Sequence, residues 1–253
     1  MALSLAAFAA CVAPAPAASA QKLTVAAAAD LRFALDELAS QFRAAHPEVD
    51  LAITYGSSGN FFAQIQNGAP FDVFLSADVD YPRRLIAAGL ASQDSLFLYG
   101  VGRIVAWVPA GSPLDPAALG IHLLEAASVR HIAIANPQHA PYGRAAVAAM
   151  RSLGVYDRVS EKLVLGENIG QAFEFVESGA AEAGIVALSL ALKPGARSHG
   201  RYWEVPQEAY PKIEQGGVIL SRAPAGPAAQ FRAFLLSADG RRILKQYGFS
   251  LPQ

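Results

Sequence analysis

The chain has 253 residues, 53% of them hydrophobic and 16% charged, with 20 Lys and Arg against 21 Asp and Glu for a formal net charge of −1. Dispersed, balanced charge offers no footprint for nucleic acid or an anionic membrane surface, and the hydrophobic content is that of a folded chain. The one cysteine, Cys11, lies near the N-terminus, so everything after residue 20 has no thiol, disulfide or cysteine-bound metal.

Residues 1–20 contain no charged side chain, run apolar from Leu3 to Ala10 and finish Ala18-Ser19-Ala20. That pattern reads as a signal peptide cleaved after a small-x-small site, and Pro14 and Pro16 argue against a core helix. Phe8-Ala9-Ala10-Cys11 weakly resembles a lipid-attachment site; cleavage after Ala20 is the preferred reading. Export to the periplasm follows. No later apolar run reaches the about 20 residues that span a bilayer, so no stable membrane insertion is expected.

From Leu23 an apolar strand breaks at Asp30 into a helix whose Leu31, Ala34, Leu35, Leu38 and Phe42 form one stripe. Such a junction leaves first-turn N–H groups without intrahelical partners and aims the positive end of the helix dipole at whatever lies above, which makes it an anion cradle. The pattern recurs. Asp50 to Tyr55 is a strand, and Ser57-Ser58-Gly59-Asn60 opens a helix that closes at Gly68. Asp72 to Ser76 is a strand, and Tyr81 to Ala88 a helix. Phe97 to Pro109 is long enough to cross between two lobes. His131 to Asn136 is a strand, and Pro141-Tyr142-Gly143 opens a helix through Met150. Asn168 caps a helix that turns Ile169, Ala172, Phe173 and Val176 inward, and Ala183 to Leu188 is a buried strand. Val218 to Ser221 reads as a return strand, with Phe231 to Tyr247 helical on the first lobe. This alternation predicts an α/β fold of mainly parallel sheets flanked by helices. The length exceeds the about 100 to 200 residues of one domain, which predicts two lobes: 21–101 with 222–253, and 102–221.

Thr24 to Leu31, Tyr55-Gly56-Ser57-Ser58-Gly59, the run Gln64 to Asp78 (QIQNGAPFDVFLSAD), Asn136 to Gly143, Gly184 to Ser189 and Tyr247-Gly248-Phe249 occur in that order. Together they resemble the molybdate-binding proteins of ABC transporters over nearly the whole chain after residue 20. The resemblance implies a type II periplasmic-binding fold: two α/β lobes, two hinge crossovers, and a ligand clasped between them. It also implies a tetrahedral oxyanion, molybdate or tungstate, as the bound ligand, an ABC permease as partner, a monomeric protein, and neither a cofactor nor a cation site.

Ligand residues carry over by position. Ala29 and Asp30 stand where the first strand meets its helix, Ser57 and Ser58 at the second junction, Tyr142 at the third, and Asn168 and Ile169 at the fourth. Neutral hydroxyls and helix N-termini suit a dianion that accepts hydrogen bonds from all sides. Asp30 is the departure, because the family usually has a hydroxyl or amide residue there and a carboxylate facing an ionised oxyanion is repulsive. Two readings stay open. Either Asp30 caps its own helix through the N–H of Arg32 or Phe33, or it accepts a proton-bearing oxygen and selects a phosphate- or phosphonate-type anion; Arg32 or Arg144 are candidate neutralising partners.

No enzyme reading has comparable support. Gly56-Ser57-Ser58-Gly59 lacks G-x-S-x-G spacing, and no histidine pair has metal-ligand spacing. His139, the histidine nearest the expected cleft, reads as a solvent-facing loop residue, and a metal loop at Asp72, Asp78 and Asp80 is disfavoured. A periplasmic hydrolase is the distant alternative. A sensor passing its signal to a membrane receptor is not separable from a transporter subunit by sequence.

Overall fold

The computed structural model describes residues 20–195 and 199–252; the expected signal peptide and Cys11 lie outside that range, apart from Ala20. Ten strands form two five-stranded sheets. The first comprises β1 (Gln21–Ala28), β2 (Val49–Gly56), β3 (Val73–Ser76), β4 (Phe97–Gly102) and β10 (Ile213–Ile219), in the order β2-β1-β3-β10-β4. The second comprises β5 (Ile104–Pro109), β6 (Ile132–Ala135), β7 (Leu163–Gly166), β8 (Ala183–Ala187) and β9 (Gly200–Glu204), in the order β7-β6-β8-β5-β9. The two sheets share one topology. In each, four strands run one way and the strand arriving from the other lobe, β10 or β5, runs against them.

The strand period explains the layering. Leu23, Val25 and Ala27 of β1 and Val73 and Leu75 of β3 face α1 (Arg32–Ala45) and the C-terminal helices α9 (Ala225–Leu236) and α10 (Ala238–Gln246). The intervening Ala26 and Phe74 face α2 (Ser58–Gln66) and α3 (Asp80–Ala87). Ala34, Leu35, Leu38 and Phe42 are the buried stripe of α1. The second sheet is covered by α5 (Pro141–Ser152) and α7 (Ile169–Glu177), with short helices α4 (Pro116–Leu119), α6 (Tyr156–Val159) and α8 (Leu188–Ala191) at its margins.

The run from Phe97 to Pro109 does cross between lobes, split at Arg103 into β4 and β5. The other crossing lies earlier than expected. β10 already pairs in the first sheet from Ile213, so the chain crosses between Glu204 and Ile213, ahead of the expected lobe boundary at 221/222. Gly216-Gly217 lies inside β10, ahead of the strand expected from Val218, and permits close sheet packing, since a Cβ on Gly217 would sit 2.6 Å from the Phe97 ring and 2.8 Å from Leu75 Cδ2, and the register shifts between Gln215 and Gly216.

Candidate functional site

The parallel strands of both sheets end toward one cleft, where four chain segments present helix starts. Ala28, Ala29 and Asp30 follow β1, Gly56, Ser57 and Ser58 follow β2, Ala140, Pro141 and Tyr142 open α5, and Ile169 opens α7. With Ala77 they line a cavity of about 10 Å³. A single water needs about 10–15 Å³ by the same measure and drug-sized ligands several hundred, so the space is that of a small, compact group. A wider groove of about 410 Å³ adjoins it, sharing Ala77 and Pro141 and carrying Asp78, Asp80, Arg83, Arg144, Lys212 and Glu214. The groove's charges are mixed and it stands open, whereas the smaller cavity is rimmed by the helix starts and is the candidate site.

Local sequence sets the donors. Ser57 caps α2, its Oγ accepting from Asn60 N–H at 3.3 Å, while Gly59 N–H donates to His139 O at 2.9 Å. Ser58 N–H, at the first helical position, has no acceptor inside the helix. Ser58 Oγ accepts from Ala77 N–H at 2.9 Å, which leaves its own O–H to donate. Asn168 caps α7 through Gln171 N–H at 3.1 Å, leaving Ile169 N–H at the same kind of position.

Asp30 is buried at 1% exposure and is not a helix cap: neither the 3₁₀ turn Ala29–Leu31 nor α1 has a side-chain cap bond. The reason is competition from across the cleft. Tyr142 O–H donates to Asp30 Oδ2 at 2.8 Å, and Gln215 Nε2 donates to the same oxygen at 2.6 Å and to Tyr142 Oη at 3.0 Å. Ser189 O–H, from the second lobe, donates to the Asp30 backbone carbonyl at 2.7 Å. Asp30 Oδ1 and Gln215 Oε1 are buried without a hydrogen-bond partner among the described residues. The proposed neutralising cations are engaged elsewhere, Arg32 with Glu174 across the cleft and Arg144 with Asp78. Burial therefore pushes the Asp30 carboxyl up to about 6, only partly offset by the bonds from Gln215 and Tyr142. Burial first, and then the Asp30 charge, holds the Tyr142 phenol well above its ordinary range, so it remains a donor.

Sequence reasoning missed Gln215 and misplaced His139. His139 joins the lobes, with Nδ1 2.9 Å from Ser57 Oγ and that hydroxyl also within 3.1 Å of His139 O. Glu167 lies 3.8 Å from His139 Nε2 and bonds Asn60 of the first lobe. Asp72 is spent on holding β1, accepting from Thr24 N–H at 2.8 Å and Thr24 O–H at 2.7 Å. Among the described residues no group of three or more His, Cys, Asp or Glu is arranged to hold a cation.

Two similar α/β lobes, joined by two crossings and closing over a small cavity rimmed by helix starts, define a solute-binding architecture. The family model described as bacterial extracellular solute-binding protein matches residues 23–250. The chain is 39% identical over 238 residues to the molybdate-binding protein ModA of Azotobacter vinelandii, covering 93% of this chain and 92% of that protein. It is 38% identical over 196 residues to ModA of Rhodobacter capsulatus, covering 77% and 75%. The solved periplasmic molybdate-binding protein of A. vinelandii matches with a TM-score of 0.85 at 36% identity, over 91% of this chain and 100% of that one. The chain belongs to the bacterial extracellular solute-binding protein family.

Proposed function

We propose that the protein is the periplasmic molybdate- or tungstate-binding component of an ABC transporter, acting as a monomer that captures one oxyanion and presents the closed form to a permease. The observation that carries this reading is the small cavity whose donors come from both lobes and include no cation. Ser58 O–H and N–H, Ile169 N–H, the N–H groups at Ala29 and Asp30, and Tyr142 O–H are the proposed ligands; Ser57 and Asn168 shape the helix starts. Neutral donors and helix dipoles hold a dianion without a fixed counter-charge, which leaves it releasable. The relatives named for molybdate at 38 to 39% identity support the choice of anion. The apolar run Leu3 to Ala10 and the small-x-small ending at Ala20 support export with cleavage after Ala20 in preference to lipid attachment at Cys11.

A second reading, a proton-bearing anion of the phosphate or phosphonate type, is favoured by one observation, the Asp30 carboxylate turned to the cavity side in place of a cap. A calorimetric panel of molybdate, tungstate, sulfate, phosphate and a phosphonate separates the two. Saturable one-to-one heat is expected with molybdate and tungstate. Sulfate should bind more weakly, because its shorter bonds leave donors on opposite walls out of reach. Phosphate binding better than molybdate at mildly acid pH supports the second reading, and no saturable heat with molybdate or tungstate rejects the first.

A further inference from the structure

The oxyanion reading of the cavity leaves an electrostatic problem: a buried carboxylate lines a space meant for a dianion, and no cation is within bonding reach of it. The groups around Asp30 bear this out on every side. On α1 the charged neighbours are Arg32, paired with Glu174 of α7, and Asp36, which accepts from Tyr55 O–H at 2.6 Å. α8 offers only Ser189, and β10 offers Gln215, with Glu214 of that strand 3.7 Å from Lys212. Tyr99 of β4 donates to Ser76 O at 2.9 Å, and Tyr210, beyond the crossing, accepts from Ile104 N–H at 3.3 Å. Burial raises all three tyrosines, Tyr99, Tyr142 and Tyr210, so none supplies a second negative charge.

Two details of geometry point to a resolution. Both donors reaching the Asp30 carboxyl converge on Oδ2, and Oδ1 has no partner; an unpartnered buried oxygen is far less costly on a neutral acid than on a carboxylate. Moreover, Tyr142 has one proton, now directed at Oδ2, and a phenolic oxygen has two acceptor positions. We propose that capture of a fully ionised oxyanion carries one proton from solvent onto Asp30 Oδ2, and that this proton reverses the Asp30–Tyr142 hydrogen bond. Asp30 then donates to Tyr142 Oη, Gln215 Nε2 continues to donate to both, and the tyrosine O–H turns to the anion. Asp30 is in this account a specificity-determining residue: it converts a dianion plus a proton into a load one charge unit smaller, and Tyr142 delivers the bond. Burial between the closed lobes raises its carboxyl to about 6, within reach of proton uptake near neutral pH.

The inference rests on the oxyanion reading, and titration calorimetry with molybdate in buffers of different ionisation enthalpy distinguishes their failures. For the intact protein, the observed enthalpy should vary with buffer enthalpy by close to one proton per anion at pH 8 and by much less at pH 5. Affinity should fall about tenfold per pH unit above pH 7, the linkage slope of one proton. Asp30→Asn, which has no carboxyl to take up a proton, should bind with no proton uptake and a flat pH profile. In difference infrared spectra, adding molybdate to the unaltered protein should produce a protonated-carboxyl stretch that Asp30→Asn lacks. Saturable binding without proton uptake at pH 8 overturns the proton proposal and leaves the oxyanion reading standing; no binding at any pH overturns both.

Discussion

Tyr142 of the second lobe holds its hydroxyl 2.8 Å from Asp30 Oδ2 of the first, and Gln215 Nε2 closes the triangle at 2.6 and 3.0 Å. The three buried side chains come from a helix start, a strand end and a return strand that are far apart in sequence. The two bonds that Tyr142 makes cross between the lobes and form only when the lobes meet, so they report closure directly. Neighbouring pairs make the same junction: Ser57 with His139, and Ser189 with the Asp30 carbonyl.

Stability should depend on pH through Asp30. Its carboxyl is raised from 3.8 to about 6 on folding, so the folded form binds the proton more tightly than the unfolded chain. The favourable contribution is fully present below pH 4 and is lost as pH rises through 6. Relative to Asp30→Asn, the unaltered protein should therefore lose up to about 3 kcal/mol between pH 4 and pH 8, two pKa units at 1.36 kcal/mol each. Chemical denaturation of the two proteins without ligand measures this, and a difference constant across that range contradicts it.

Gly102→Ala should damage the cleft without altering any ligand residue. A Cβ there would overlap Tyr142 Oη and sit 2.7 Å from Gln215 Nε2, and both groups are fixed in the triangle. Overpacking of this kind costs about 1–3 kcal/mol. The expected result is a lower melting temperature together with at least tenfold weaker oxyanion binding; unchanged affinity means the triangle does not shape the site.

Ser58→Ala removes two things at once. It takes away the O–H offered to the ligand and strands the Ala77 N–H that Ser58 Oγ now satisfies. An unsatisfied buried N–H costs about 1–3 kcal/mol, so a modest loss of stability is expected alongside a loss of affinity. Ser58→Thr, which keeps the hydroxyl, should recover the stability more fully than the affinity if the cavity is tight.

His139→Ala should loosen closure while sparing the anion donors, because His139 touches Ser57 Oγ and Gly59 N–H across the cleft. The backbone bond survives the substitution and the ring contact does not. Ligand release, measured by stopped flow, should accelerate by about five- to tenfold with little change in association rate, the usual pattern when a contact of the bound state is lost. Small-angle scattering should find a larger radius of gyration for the variant with no ligand added. Equal release rates would show that the ring does not latch the lobes.

The fold was legible because its elements announce themselves locally. The α1 stripe, the Ser57 and Asn168 caps and the buried Val73–Ser76 strand each carry a period or a stop signal, and all appear where the chain pattern puts them. The start of the return strand was not: the expected strand began at Val218, whereas β10 begins at Ile213 and includes Gly216-Gly217, which packs on Phe97 and Leu75. Gln215 was lost with it: it follows Lys212 and Glu214 and precedes two glycines, so no local apolar pattern marked it as buried. Asp30 was recognised as the departure, with its carboxylate left between a cap on its own helix and an acceptor of a proton-bearing ligand oxygen, and neither reading named its real partners. Tyr142 and Gln215 lie 112 and 185 residues away in sequence, and no local rule weighs a partner at that distance.

The central claim is that the cavity between Ser58, Tyr142, Ile169 and Asp30 holds one molybdenum or tungsten oxyanion. Diffraction from crystals grown with molybdate, recorded where molybdenum scatters anomalously, tests it most directly. The account predicts a single strong anomalous peak inside that cavity, within hydrogen-bonding range of Ser58 Oγ, Tyr142 Oη and Ile169 N. A peak confined to the outer groove beside Arg83, Arg144 and Lys212, or no peak in the protein at saturating molybdate, contradicts it.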